Sequence, residues 1–115
     1  MSKELNMEPF IGFTGAPGTT FRMASTDVAQ YLTPANLINS AGKRATGVLI
    51  TVETNSIRFG FNATITETGA GGLGHLLTAG SSYKISSPKG AQQFKFLSAA
   101  AGVHGAIIAT AEFED

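Results

Sequence analysis

The chain has no cysteine and no tryptophan, and only 14% of its residues are Asp, Glu, Lys or Arg. Each shortage excludes something. Without cysteine there is no disulfide and no thiolate-bound zinc, so stability must come from packing or assembly. With no tryptophan and two tyrosines, aromatic platforms for sugars are scarce. The charged share lies well below the usual value of about 25%. Disorder needs the opposite balance, so most of the chain is expected to fold. A surface so poor in charge points to a partner that covers part of it.

Charge of one sign is lacking as well. Eight basic and eight acidic residues sum to zero, whereas a general nucleic-acid binder draws most of its affinity from excess cations on phosphate. The distribution is uneven. No acid occurs from Thr68 to Ala111, a stretch that holds Lys84, Lys89 and Lys95. That run reads as a solvated sheet face or as a weakly basic contact surface for an acidic partner. Long apolar runs are missing too, so no membrane span is expected. "MSKELNMEPF" has no secretory h-region. Asn62-Ala63-Thr64 forms a glycosylation sequon, which has no meaning without a secretory route.

With 115 residues the chain is one domain's worth, enough for one modest core. Residues 1–26 stand apart. Phe10, Ile11, Phe13 and Phe21 alternate there with Gly12, Gly15, Pro17 and Gly18. Aromatics need burial, and this glycine and proline density opposes a regular element. An extended arm packed on its own domain or on a neighbouring subunit satisfies both. In "DVAQYLTPANLIN", Val28, Tyr31, Leu32 and Ala35 have helical spacing, but Pro34 interrupts it. Helix and a pair of short strands, Val28–Leu32 and Asn36–Asn39, both fit; the β character of the remainder favours strands.

That remainder is legible. Val48, Ile50 and Val52 alternate on one face, as do Ile57, Phe59 and Phe61, and the short turn at Thr54-Asn55 suggests a hairpin between them. "SSYKIS" and "QQFKFLS" alternate likewise. The last run, Ala106–Phe113, is apolar on both sides, which places it centrally in a sheet or under cover twice. Glycine and proline punctuate the gaps. Seven or eight short strands predict an all-β fold, a single antiparallel β-sandwich or jelly-roll-like domain over 27–115 with an extended N-terminal arm over 1–26.

The chemistry motifs fail on context. "GAGGLG" at Gly69–Gly74 fits G-x-G-x-x-G, but a dinucleotide loop needs a following helix and an acid about 20 residues on. Gly80 arrives too soon for a helix, and the next acid after Glu67 is Glu112. The glycines then serve a flexible hairpin or inter-sheet loop that requires positive φ. "GAPGTT" lacks the lysine of a phosphate loop. His75 and His104 have no acid near them in sequence, too few ligands for a metal and no orienting partner for a serine nucleophile. Glu53 and Glu67 are the one carboxylate pair available for glycoside chemistry. No catalytic residue, cofactor or metal is expected.

"AGKRATGVLITVETNSIRFGFN", "GHLLTAGSSYKISSP" and "FKFLSAAAGVHGAIIATAEF" together resemble short all-β structural proteins of tailed bacteriophages. The resemblance covers Ala41 to Phe113 and leaves the N-terminal arm outside. It implies a virion component, a capsid decoration or cement protein without catalytic residues. Its expected partners are a major capsid or other virion lattice protein and further copies of itself, with no nucleic acid, membrane or small-molecule substrate. Low charge and an aromatic arm suit such permanent assembly independently. The candidate interface residues are Phe10, Ile11, Phe13 and Phe21 of the arm and Gly71, Leu73 and His75 of the glycine loop. The alternative is a carbohydrate- or host-receptor-binding module whose site is formed by Gly69–His75 and Ala99–His104.

Overall fold

A computed structural model describes residues 15–114. Eight strands form two antiparallel four-stranded sheets packed on a common core. They are β1 (Ala16–Ala24), β2 (Gln30–Tyr31), β3 (Gly47–Thr54), β4 (Ile57–Phe61), β5 (His75–Leu77), β6 (Ser82–Ile85), β7 (Phe94–Ser98) and β8 (Ala106–Phe113), with one short helix, α1 (Pro88–Gln93). The first sheet runs β1-β8-β3-β6 and the second β2-β7-β4-β5. The fold is therefore an antiparallel β-sandwich, as alternation predicts.

The period-two residues make the core. Val48, Ile50 and Val52 of the first sheet meet Ile57, Phe59, Phe94 and Phe96 of the second. Phe94, Phe96, Val48, Ile50, Val52, Ile57 and Ile107 are fully buried, and each such side chain contributes roughly 1.5–3 kcal/mol of transfer free energy. Phe59 stacks against Phe94 at 5.3 Å and meets Tyr83 of the opposite sheet at 4.8 Å. β8 is central, flanked by β1 and β3; Ile107, Ala109 and Ala111 on its inner face are fully buried, while Ile108 and Thr110 on the other face are half-buried.

Three expectations need correction. First, β3 and β4 form no hairpin. β3 pairs with β6 and β8, β4 with β5 and β7. Asn55 takes a left-handed φ of 55° and its side-chain amide donates to the His104 carbonyl at 2.8 Å, so the chain crosses between sheets there. Alternation reports a buried face, and both strands bury theirs against the same core from opposite sides. Second, Ala16–Ala24 is no arm. It is the outer strand of the first sheet, and Phe21 and Met23 pack against the core. Its glycines permit close contact: a Cβ at Gly18 would lie 2.6 Å from the Phe113 ring. The sandwich thus begins before residue 27. Phe10, Ile11 and Phe13 lie outside the described residues. Third, residues 27–39 are neither helix nor two full strands. β2 spans two residues, a 3-10 turn covers Pro34–Leu37, and Ile38 makes a single bridge to Arg44. Pro34 opens that turn, where its missing N–H costs nothing.

α1 went unpredicted, although its start signals are in the sequence. Ser87 is the N-cap, accepting from the Gly90 N–H, and Pro88 follows it.

Candidate functional site

The glycine loop joins β4 to β5, the one connection that stays within a sheet. A 3-10 turn at Thr68–Ala70 starts it, and Gly71, Gly72 and Gly74 then take φ of 117°, 62° and 124°. The need for positive φ is met as the sequence suggests. The loop closes on itself: Thr66 N–H donates to Leu73 O, and Leu73 N–H to the Thr66 hydroxyl, both at 2.8 Å. Arg58, from the outer side of β4, reaches into it. Its guanidinium donates to Gly74 O at 3.1 Å and to the Thr68 hydroxyl at 3.2 Å. A Cβ at Gly72 would stand 3.2 Å from that guanidinium, so the bare backbone lets the arginine in. Arg58 therefore joins His75 and Glu67 as an ionisable group at this loop, one that motif reading along the chain missed. The signal was available in the register, since Arg58 occupies the outward position of an otherwise apolar strand.

The candidate interface residues of this loop are exposed at its surface. Leu73 is 58% exposed, Leu76 of β5 52%, and Gly71 and His75 are exposed. The His75 ring lies 5.3 Å from Phe59. Phe21 sits on the other sheet, half-buried against the core. The structure does not bring Phe21 together with the loop.

A serine, a histidine and an acid do converge elsewhere, at the end where β1 and β7 leave the sandwich. Ser98 Oγ lies 2.9 Å from His104 Nδ1, and Asp27 Oδ1 lies 3.9 Å from the same nitrogen. A charge-relay triad needs its nucleophile and its acid on different ring nitrogens. Here both face one. Ser98 is fully buried and donates its proton to Ser25 Oγ at 2.9 Å, so His104 Nδ1 is the donor toward Ser98. Ser25 also accepts from Gly105 N–H, and Asp27 from Gly102 N–H, each at 2.9 Å. This arrangement ties the 99–105 loop to the end of β1.

The remaining sequence candidates are separated. Glu53 sits on the outer face of the first sheet, paired with Arg22 at 2.8 Å across β8, while Glu67 belongs to the glycine loop of the second sheet. The three lysines of the acid-free stretch do not form one patch: Lys84 pairs with Glu112 on the first sheet, and Lys95 lies over the Tyr31 ring on the second. Among the described residues no group of three or more His, Asp or Glu is placed to hold a metal ion, and no helix is long and apolar enough to cross a membrane.

One concavity was not foreseen. It is a cleft of about 470 Å³ beside β2. Leu32 and Leu37 are buried at its base, and Tyr31, Arg44, Asn62 and Gln93 line it. Helical spacing groups Tyr31 with apolar residues; in the sheet it is exposed and pairs with Lys95. The chain matches no protein-family model, no curated protein and no solved structure.

Proposed function

We propose that the protein is a non-catalytic structural component of a bacteriophage particle, which binds and reinforces a capsid lattice as a decoration or cement protein. The observation that carries this reading is the strand order. With strands numbered along the chain, the sheets run 1-8-3-6 and 2-7-4-5, and every connection except β4–β5 crosses from one sheet to the other. This order supports a jelly-roll-like sandwich, an architecture common in viral capsid and lectin domains. The step from fold to role is an analogy, and the sequence resemblance to phage structural proteins leads to the same place.

Surface character supports it further. Val28, Ile38, Leu73, Leu76 and Val103 are each at least 46% exposed. The edges β2 and β5 are blunted by their length of two and three residues, whereas β1 presents nine. Assembly protects such an edge. Phe10, Ile11 and Phe13 precede β1 in the sequence, which makes them candidates for the same contact.

Mass spectrometry of purified particles tests the reading. The protein is expected at a stoichiometry commensurate with the capsid lattice. A protein missing from the particle, and monomeric in free solution, overturns it. Deletion of residues 1–14 is expected to abolish lattice binding. Undiminished binding by that truncated chain removes the N-terminal segment from the interface.

A further inference from the structure

We propose that the cleft beside Tyr31 is a binding site for an acidic saccharide, a sugar ring that carries a carboxylate. The cleft volume, about 470 Å³, falls within the range of about 300–1,000 Å³ typical of small-molecule sites. Its polar lining is rich in donors and contains no carboxylate. Tyr31 is 43% exposed and is held in place twice, by Lys95 Nζ at 5.5 Å from its ring centroid and by its hydroxyl, which donates to Asn62 Oδ1 at 2.9 Å. That bond occupies the Asn62 acceptor and leaves its amide N–H groups to donate.

Asn62 itself has a left-handed φ of 50°, fixed by its backbone N–H on Gln93 O at 2.7 Å. Asparagine is one of the few non-glycine residues that adopt this conformation readily. Here it turns a side-chain amide beside the glutamine amides of Gln92 and Gln93, all three lining the cleft. Arg44, at the rim, is exposed and makes no ion pair among the described residues. Its bridge to Ile38 sets its backbone at that rim. An unpaired guanidinium matches a carboxylate bidentately, side-chain amides match vicinal hydroxyls, and the apolar base and tyrosine match the C–H face of a ring. The scarcity of aromatics limits stacking, so the arginine and amides carry most of the selectivity.

A peptide suits this cleft less well. Strand addition requires a run of unpaired backbone groups, and the neighbouring edge, β2, has two residues. The site also differs from the loop pair Gly69–His75 and Ala99–His104 that the sequence suggested for a sugar.

The test is an amide-resolved NMR titration of the full chain with oligogalacturonate, a hyaluronan tetrasaccharide and sialyllactose, each against a neutral counterpart. Saturable shifts are expected at Tyr31, Arg44 and the Asn62 side-chain amide with at least one acidic probe. Arg44→Gln should weaken that binding about tenfold or more, the loss of one charge-assisted contact, and leave neutral sugars unchanged. Its spectrum also verifies the fold. Four outcomes overturn the proposal: no saturable shift with any acidic probe, shifts centred on Gly69–His75, an Arg44→Gln variant that binds as the parent does, or equal shifts from a capped acidic peptide.

Discussion

Lys84 Nζ lies 2.8 Å from Glu112 Oε1, and the lysine crosses an intervening strand to get there. Lys84 is on β6 and Glu112 on β8, with β3 between them. The residue of β3 opposite Glu112 is Gly47. A Cβ there would lie 3.5 Å from Lys84 Cε and 2.4 Å from the Ile85 carbonyl oxygen. Glycine therefore serves two ends: it lets the backbones of β3 and β6 approach, and it opens a path for the lysine stem. Glu112 also accepts from the Gly15 N–H, which fastens the start of β1 to the same carboxylate.

Gly47→Ala should accordingly destabilise the sandwich by about 1–3 kcal/mol, the range for forced backbone displacement in a packed element. In a domain of this size each kcal/mol lowers Tm by about 4 °C. Lys84→Met should cost about 1–3 kcal/mol by leaving a buried carboxylate short of a charged donor. Urea unfolding measures both. Because the two sites share one contact, the double variant should lose less than the sum of the single losses.

The Arg58 side chain makes a separate prediction. It holds the glycine loop through Gly74 and Thr68. Arg58→Met keeps the stem and removes both bonds. Hydrogen exchange should then accelerate at the Leu73 and Thr66 amides, while amides of β3 and β8 keep their protection, since local opening need not involve the core. Uniform acceleration across the sandwich would contradict this local role.

What the sequence revealed follows from what alternation encodes. Val48, Ile50, Val52, Ile57, Phe59, Phe94 and Phe96 were readable as inward residues because period two reports burial directly. Pairing partners were not readable. A short turn at Asn55 suits a hairpin and a sheet-to-sheet crossing equally, and the choice depends on Asn55 meeting His104 forty-nine positions away. β1 was hidden by its own composition: Gly15, Pro17 and Gly18 look like loop, yet Gly15 and Gly18 are there so that β1 can lie against Phe113. The cleft was hidden for another reason. Tyr31, Arg44, Asn62 and Gln93 are distant in sequence and carry no shared motif; only the short β2 and the left-handed Asn62 bring them together.

The serine–histidine cluster predicts a change in stability. Ser98→Ala removes the buried bonds to Ser25 and His104. It also takes from Ser25 Oγ one of its two donors, leaving the Gly105 N–H, so a cost of about 1–3 kcal/mol is expected. His104→Ala should cost less, because that ring is 46% exposed and water replaces its bonds. Thermal unfolding ranks the two. The reverse ranking would show that the 99–105 loop depends on the ring more than on the buried hydroxyl.

The position of β1 separates two truncations that composition alone would treat alike. Removal of residues 1–14 leaves all eight strands in place. Removal through residue 25 deletes β1 with Phe21 and Met23, which pack on the core, and Ser25, which accepts from Gly105 and Ser98. It also turns β8 from a central strand into an edge. That edge would present eight residues, apolar on both sides at Ile107 and Ile108, and bare apolar edges pair with one another. The shorter truncation should stay dispersed, with a far-ultraviolet spectrum like that of the full chain. The longer one should aggregate or lose its cooperative transition. Light scattering alongside circular dichroism distinguishes them. A cooperative, dispersed chain beginning at residue 26 would mean that β1 belongs to assembly and not to the fold.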